Sequence, residues 1–307
     1  MKLNTVIYNT YLFVNGFISM LKAIILYGPI KYFNKYRLTT TNNGSIAMVA
    51  IVKNEASYIV EWLEYHRIIG VDHFYIFDNG SEDNLKEKLK KYIDEGLVTY
   101  IFFPGKNMQE RAYLDAVEKT KGKFEWLLTL DIDEFLEPMK NISLKYWLNR
   151  LNKNISQVEF GWMIYGSSGL KHREKGLVIE RFKRHAKYSV VSEYKPIVRP
   201  EKVIGMSFPH QYKVVGKTID ENKKRIWFYR VTTKKGVKPA PRKIFRINHY
   251  YSKSLDEFIK KSQRGDASVY DREPRNLTDF KKHDLNDIFD DSMDVYIKKL
   301  KHICKDV

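Results

Sequence analysis

Glu125-Trp126-Leu127-Leu128-Thr129-Leu130-Asp131-Ile132-Asp133-Glu134-Phe135 decides how the rest of the chain is read. It is a short apolar run, without a polar face before Asp131, that ends in three acids. A run of this kind reads as a strand buried on both sides, and such strands lie in the middle of mostly parallel sheets flanked by helices. Open α/β sheets bind ligands at the carboxyl ends of their strands, and Asp131 and Asp133 stand at that edge. If the chain turns as it leaves the sheet, both carboxylates can converge on one hard cation. Oxygen ligands suit Mg2+ or Mn2+, which in turn bind phosphate oxygens. The expectation is a metal–diphosphate site. The plainer alternative is that the acids only end a strand and cap the next helix. No other Asp-x-Asp occurs in the chain.

The chain has 307 residues, enough for one large α/β domain or two small ones. Its apolar fraction of 43% supplies an ample core. Cys304 is the single cysteine, so neither a disulfide framework nor a cysteine zinc site forms within the chain. That fits a reducing, cytoplasmic compartment. The net charge is +17, and residues 171–246 hold 22 Lys+Arg against 6 Asp+Glu, a balance of +16. A basic face of this kind can meet nucleic acid, anionic headgroups or an anionic sugar donor or acceptor. A solvated surface explains it equally well.

Residues 3–21 carry no charge, but Asn4, Asn9, Asn15 and Gly16 dilute a stretch that is near the length of a membrane span. Lys22, Lys31, Lys35 and Arg37 follow, with Tyr27, Tyr32 and Tyr36 between them. An aromatic and basic flank suits a helix lying on the inner face of a membrane. A helix packed on the domain or on a second copy is the alternative. Residues 1–43 therefore read as an amphipathic helical extension, with Thr39 to Gly44 as the linker.

Ile46 to Val52 is a second buried strand, ending at Lys53-Asn54-Glu55. The spacing of Ile59, Trp62, Leu63, His66 and Ile69 predicts a helix from about Ala56 to Ile69, with His66 as a core histidine. His73 to Phe77 is the next strand and stops at Asp78-Asn79-Gly80. Ser81 or Asp83 is positioned to cap a helix from Leu85 to Glu95. Leu97 to Phe103 is a strand and Met108 to Lys119 a helix. The order β-α-β-α-β-α-β implies a parallel sheet with right-handed crossovers. Glu55, Asp78 and the Asp131/Asp133 pair then open on one edge. Carboxylates there can accept hydrogen bonds from a base and a ribose while a cation neutralises a diphosphate. No Gly-x-Gly-x-x-Gly or P-loop is present to cradle phosphates.

Val52-Lys53-Asn54-Glu55, Glu61 to His66, Gly70 to Phe74, Asp78 to Ser81 and Leu130 to Phe135 together resemble the family 2-like and family 92-like glycosyltransferases of the GT-A fold. The resemblance continues through Phe160-Gly161-Trp162, Gly166 to Gly169 and Lys195 to Pro200, and ends at Asn248 to Ser254. It implies a Rossmann-like α/β domain over 44–265 with a helical extension at 266–307. It also implies an inverting transferase that uses a nucleotide-sugar, such as a UDP-sugar, with Mn2+ or Mg2+, and a glycan or glycolipid acceptor. By the same resemblance Lys53, Glu55 and Asp78 line base and ribose. Asp131 reaches the ribose or the metal, Asp133 ligates the metal, and His249 completes the metal site. For His249 the alternative is a polar residue in a turn.

Gln157 to Tyr165 reads as a strand and Gly166 to Gly169 as a loop that, in the resemblance, faces the acceptor. Trp227, Phe228 and Tyr229 are candidates to pack on a sugar ring, although core packing serves them as well. Ser254 to Arg264 reads as a helix whose Lys260, Lys261 and Arg264, with Lys253 just before it, are candidates to hold the leaving diphosphate. Inverting transfer needs a base for the acceptor hydroxyl, and His210, Glu159 and Glu134 are the candidates. His210 is preferred because it lies well after the metal motif, where the base tends to fall in such enzymes. Retaining transfer stays open. So do an inactive GT-A domain serving as an assembly partner and a basic nucleic-acid-binding protein, although no RRM, helix-turn-helix or zinc-finger pattern supports the last. Donor sugar, acceptor and oligomeric state have no signature in the sequence.

Overall fold

The computed structural model describes residues 2–37, 44–139, 142–188, 193–226, 240–263 and 275–304. Most of the expected linker before Gly44, the Trp227-Phe228-Tyr229 cluster and Arg264 lie outside the described residues. The chain opens with α1 (Lys2–Tyr27) and α2 (Pro29–Arg37). It then alternates through β1 (Ile46–Val52), α3 (Ile59–Ile68), β2 (His73–Asp78), α4 (Leu85–Asp94), β3 (Val98–Phe102), α5 (Gln109–Thr120) and β4 (Trp126–Thr129). These elements are local consequences of the sequence. β1 is apolar, β4 is apolar but for Thr129, and both are buried at every position, and β3, β2, β1 and β4 pair in parallel in that order. The α3 stripe packs as expected. Trp62 and His66 are fully buried, and the His66 ring is satisfied by Trp62 O at 2.8 Å and Leu136 N at 3.3 Å. The helix begins three residues later than expected, because Ala56 to Tyr58 form a turn before it.

The second half of the sheet is less regular. β5 (Glu134–Pro138), α6 (Leu144–Asn149), β6 (Ile155–Ile164), α7 (Val178–Arg181), β7 (Arg184–His185) and β8 (Tyr194–Val198) come first. β9 (Val203–Phe208), β10 (Gln211–Val214), β11 (Lys217–Asp220), β12 (Phe245–His249) and α8 (Leu255–Gln263) follow. The sheet continues from β4 through β8, β6 and β12 to β5, with β11 added on β6. β8 and β5 run against the rest, so the sheet is mostly parallel and flanked by helices. Only residues 130–133 join β4 to β5, yet β8, β6 and β12 stand between them in the sheet. The sheet must therefore curl until its far edge meets the end of β4. The acid turn closes that curl.

α9 (Leu277–His283), β13 (Ile288–Phe289) and α10 (Asp294–Ile303) complete the chain. This segment, expected as an appended extension, is tied into the domain. β13 pairs with β7, Ser167 N and Ser168 N donate to Asp284 and Asn286 at 2.6 and 2.7 Å, and the Tyr296 ring lies 5.0 Å from Tyr65.

Candidate active site

The turn at the end of β4 is fixed from several sides. Glu134 N donates to Asp131 O at 3.0 Å, and the Trp62 indole donates to both Asp131 O and Glu134 O at 3.1 and 3.0 Å. Tyr250 N, just after β12, donates to Asp133 O at 2.8 Å. These bonds hold the two acids of Asp131-Ile132-Asp133 in different surroundings.

Asp133 is buried, and its Oδ2 lies 3.5 Å from His249 Nε2 and in contact with the Lys261 ammonium. Burial would raise its pKa, but Lys261 and His249 outweigh it and hold the carboxyl well below its usual range. His249 ends β12, and burial lowers its pKa despite Asp133, so the ring is neutral at neutral pH. Its Nδ1 meets no hydrogen-bond partner among the described residues. A carboxylate oxygen and a neutral imidazole nitrogen this close fit two positions around Mn2+, and less well around Mg2+. No group of three His, Cys, Asp or Glu side chains among the described residues encloses an ion. A cation held here would need water or phosphate oxygens for its remaining positions, as such ions commonly have.

Asp131 does not join this pair. Its Oδ2 accepts from Lys195 Nζ at 2.8 Å, and its Oδ1 accepts from Tyr113 OH at 2.9 Å and Gln109 Nε2 at 3.3 Å. Both oxygens of Asp131, expected to reach the ribose or the metal, are engaged here by donors from other elements. Lys195 is fully buried and also lies 3.4 Å from Glu134 Oε2. Burial raises the pKa of Glu134 well above the usual range, against the pull of Lys195.

A cavity of about 320 Å3 adjoins the Asp133 cluster and is lined by Glu55, Tyr58, Arg173, Lys253, Lys260 and Lys261 among others. Of the residues expected to bind the donor, Glu55, Lys253, Lys260 and Lys261 therefore line one cavity. Lys53 and Asp78 are not among its lining. Asp78 instead builds the turn after β2, accepting from Ser81 N at 2.8 Å and Tyr100 OH at 2.6 Å. Lys253 has a left-handed backbone, φ 49°, and its ammonium sits 3.9 Å from the centre of the Tyr58 ring.

The three base candidates separate. The His210 ring, at the β9–β10 turn, lies 5.0 Å from the Trp162 ring, and Trp162 lies 4.3 Å from His249. Burial lowers the His210 pKa to about 3, so its ring is neutral at neutral pH. Glu159 is fully buried on β6 opposite Pro196, one position out of phase with Phe160 and Lys195, so it points to the other face of the sheet. Both its oxygens lack hydrogen-bond partners among the described residues, and burial raises its pKa well above the usual range. The structure does not bring Glu159 to the Asp133 cluster. Glu134 is held beneath Asp131 and Lys195.

The basic quarter is also resolved in part. Arg181, Lys183, Lys195, Arg199 and Arg246 pair with Glu257, Asp294, Asp131, Glu125 and Glu137, all outside 171–246. Part of the +16 balance is therefore internal neutralisation and not a free basic face.

The family model for glycosyltransferase family 92 matches residues 45–291. The chain belongs to glycosyltransferase family 92. A family 92 protein of Ricinus communis is 27% identical over 161 residues, which is 51% of this chain and 29% of that protein. One of Oryza sativa is 28% identical over 187 residues, 60% of this chain and 31% of that protein. The matched region thus spans under a third of either curated relative. S. aureus TarS 1-349 in complex with UDP overlaps 51% of this family 92 chain and 47% of its own, at 13% identity and a TM-score of 0.33.

Lys195, Tyr113 and Gln109 are site residues that sequence reading left without a role. A lone lysine inside the otherwise uncharged strand Tyr-Lys-Pro-Ile-Val was the available signal for the first. Gln109 and Tyr113, one turn apart on α5, gave none.

Proposed function

We propose that this family 92 chain is a metal-dependent, inverting glycosyltransferase that takes its sugar from a nucleoside-diphosphate donor, in the first instance a UDP-sugar. The acceptor we assign as a glycan or glycolipid, in surface-polysaccharide assembly. The observation that carries the donor reading is the Asp133–His249–Lys261 cluster at the carboxyl edge of the sheet, beside a cavity rich in lysine. Asp133 and His249 would hold the cation, which when bound neutralises charge on the leaving diphosphate. Lys261 and Lys253 are placed to meet phosphate oxygens, and Glu55 to accept from a base or ribose. Lys195 fixes Asp131, which in this reading positions the turn.

His210 is the base we assign. Its ring and that of His249 both contact Trp162, which keeps it near the Asp133 cluster, where we place the acceptor. The acceptor oxygen bonds to the sugar C1 as the bond from C1 to the diphosphate oxygen breaks, and the hydroxyl proton passes to the imidazole. Inversion follows from that single displacement.

UDP release from a panel of UDP-sugars, with surface glycans as acceptors and Mn2+ present, tests this. Wild type is expected to release UDP only with the metal. His210→Ala should lower kcat by about 10²–10⁴ with the donor KM unchanged. Normal turnover by the variant would remove His210 as the base. No release from any UDP-sugar would remove the donor class.

A further inference from the structure

The densest exposed apolar surface lies on α1 and α2. Ten of the eighteen large apolar side chains exposed among the described residues belong to these two helices. They include Phe13, Phe17, Ile25 and Phe33, with Leu26 85% and Ile30 76% exposed. The side of α1 toward the domain is narrow. Gly16 is buried and Met20 is half-buried one turn on, and both line a cavity with Tyr32, Ile204 and Gln211. Tyr32 and the Lys202 ammonium, which donates to Lys35 O at 3.0 Å, complete the attachment. The pair therefore rests on the β9–β10 hairpin, whose turn carries His210, and shows most of its apolar surface outward.

A helix that is apolar around most of its circumference belongs in a core or in a lipid phase. No helix among the described residues is long and apolar enough to cross a membrane. Lying in the interface is the arrangement left to such a surface. Charge selects which interface. Residues 1–54 contain no Asp or Glu, while Lys22, Lys31 and Arg37 are exposed beside the apolar side chains. A second copy of this chain would bring the same cations to the same face, and like charges oppose that pairing. An anionic bilayer supplies both the apolar phase and the countercharge.

We propose that α1 and α2 dock the chain peripherally on an anionic lipid bilayer, with the apolar side chains entering the headgroup region and Lys22, Lys31 and Arg37 meeting lipid phosphates. Flotation of the full chain with phosphatidylcholine vesicles, with and without phosphatidylglycerol, reads this out without any sugar donor. Wild type should float only with the phosphatidylglycerol vesicles and be released by high salt. Leu26→Gln/Ile30→Gln/Phe33→Gln and, separately, Lys22→Glu/Lys31→Glu should each cut binding by at least about tenfold, with circular dichroism and gel-filtration elution unchanged. Flotation with neither vesicle overturns the proposal, as does equal binding to both. So does a dimer in solution that the apolar variant dissociates while vesicles bind nothing, since a second copy would then cover the face.

Discussion

Lys195 has no exposed surface, yet it is charged. Burial works against its proton, but Asp131 and Glu134 outweigh it and raise its pKa. The pairing matters because the acid turn depends on it. Lys195→Met would keep the packing and leave Asp131 without its cation. Breaking a buried pair costs about 3–5 kcal/mol, and Asp131 retains 32% of its side-chain surface in water, so the lower end, about 3 kcal/mol, is expected in urea unfolding. A loss below about 0.5 kcal/mol, the range of ordinary surface substitutions, would show that the pair does not hold the turn. Asp133 was legible as a candidate because it ends a short acid motif, and His249 only through the family resemblance. The engagement of Asp131 was not, because its partner Lys195 lies 64 residues away. Tertiary placement alone decides which partners each of two neighbouring acids meets.

At the scale of elements, α8 is clamped to α7. Arg181 donates two hydrogen bonds to Glu257 at 2.8 and 2.9 Å, and Tyr58 OH and Ser254 Oγ donate at 2.8 and 2.6 Å. Burial alone would raise the Glu257 pKa, but Arg181, with Ser254 and Lys253, holds it down at about 2. A carboxyl depressed in the folded state contributes stability above its unfolded value, about 4.3, and loses it as the pH falls through the folded one. Wild type should therefore lose about 3 kcal/mol from this group between roughly pH 4.5 and 2. Glu257→Gln should start less stable and show a shallower acid dependence over that range. Equal slopes for the two proteins would contradict the assignment. β1 to β4 were readable because each is a compact apolar run with a helix after it. β5 was not, because Glu134-Phe135-Leu136-Glu137-Pro138 has two glutamates and a proline. Both glutamates are buried against groups supplied from afar, Glu134 by Lys195 and Glu137 by Arg246 and Asn248.

For the molecule as a whole, one packing unit runs from β1 to α10. The Gly166 loop meets the C-terminal segment so closely that an added Cβ would lie 2.5 Å from Asn286 Oδ1 and 2.7 Å from Leu285 O. Gly166→Ala should accordingly destabilise the entire domain by about 1–3 kcal/mol, in one cooperative thermal transition. An unchanged transition would mean that residues 275–304 are not part of the folding unit. The curl of the sheet, which lets the acid turn join β4 to β5, has no local signature, since it follows from the sheet's strand order. The basic quarter was ambiguous for a similar reason, because part of its charge is matched by acids from other segments. The central claim is that Asp133 and its neighbours form a donor site for a nucleoside diphosphate and a divalent cation. Thermal unfolding with UDP, with and without Mn2+, on wild type and Asp133→Ala tests it most directly. At about 100 times Kd a ligand stabilises by roughly 2.7 kcal/mol. We expect a shift of that size that needs UDP and Mn2+ together and is absent from the variant. A shift with UDP that is the same without the metal, or the same in Asp133→Ala, would contradict the account.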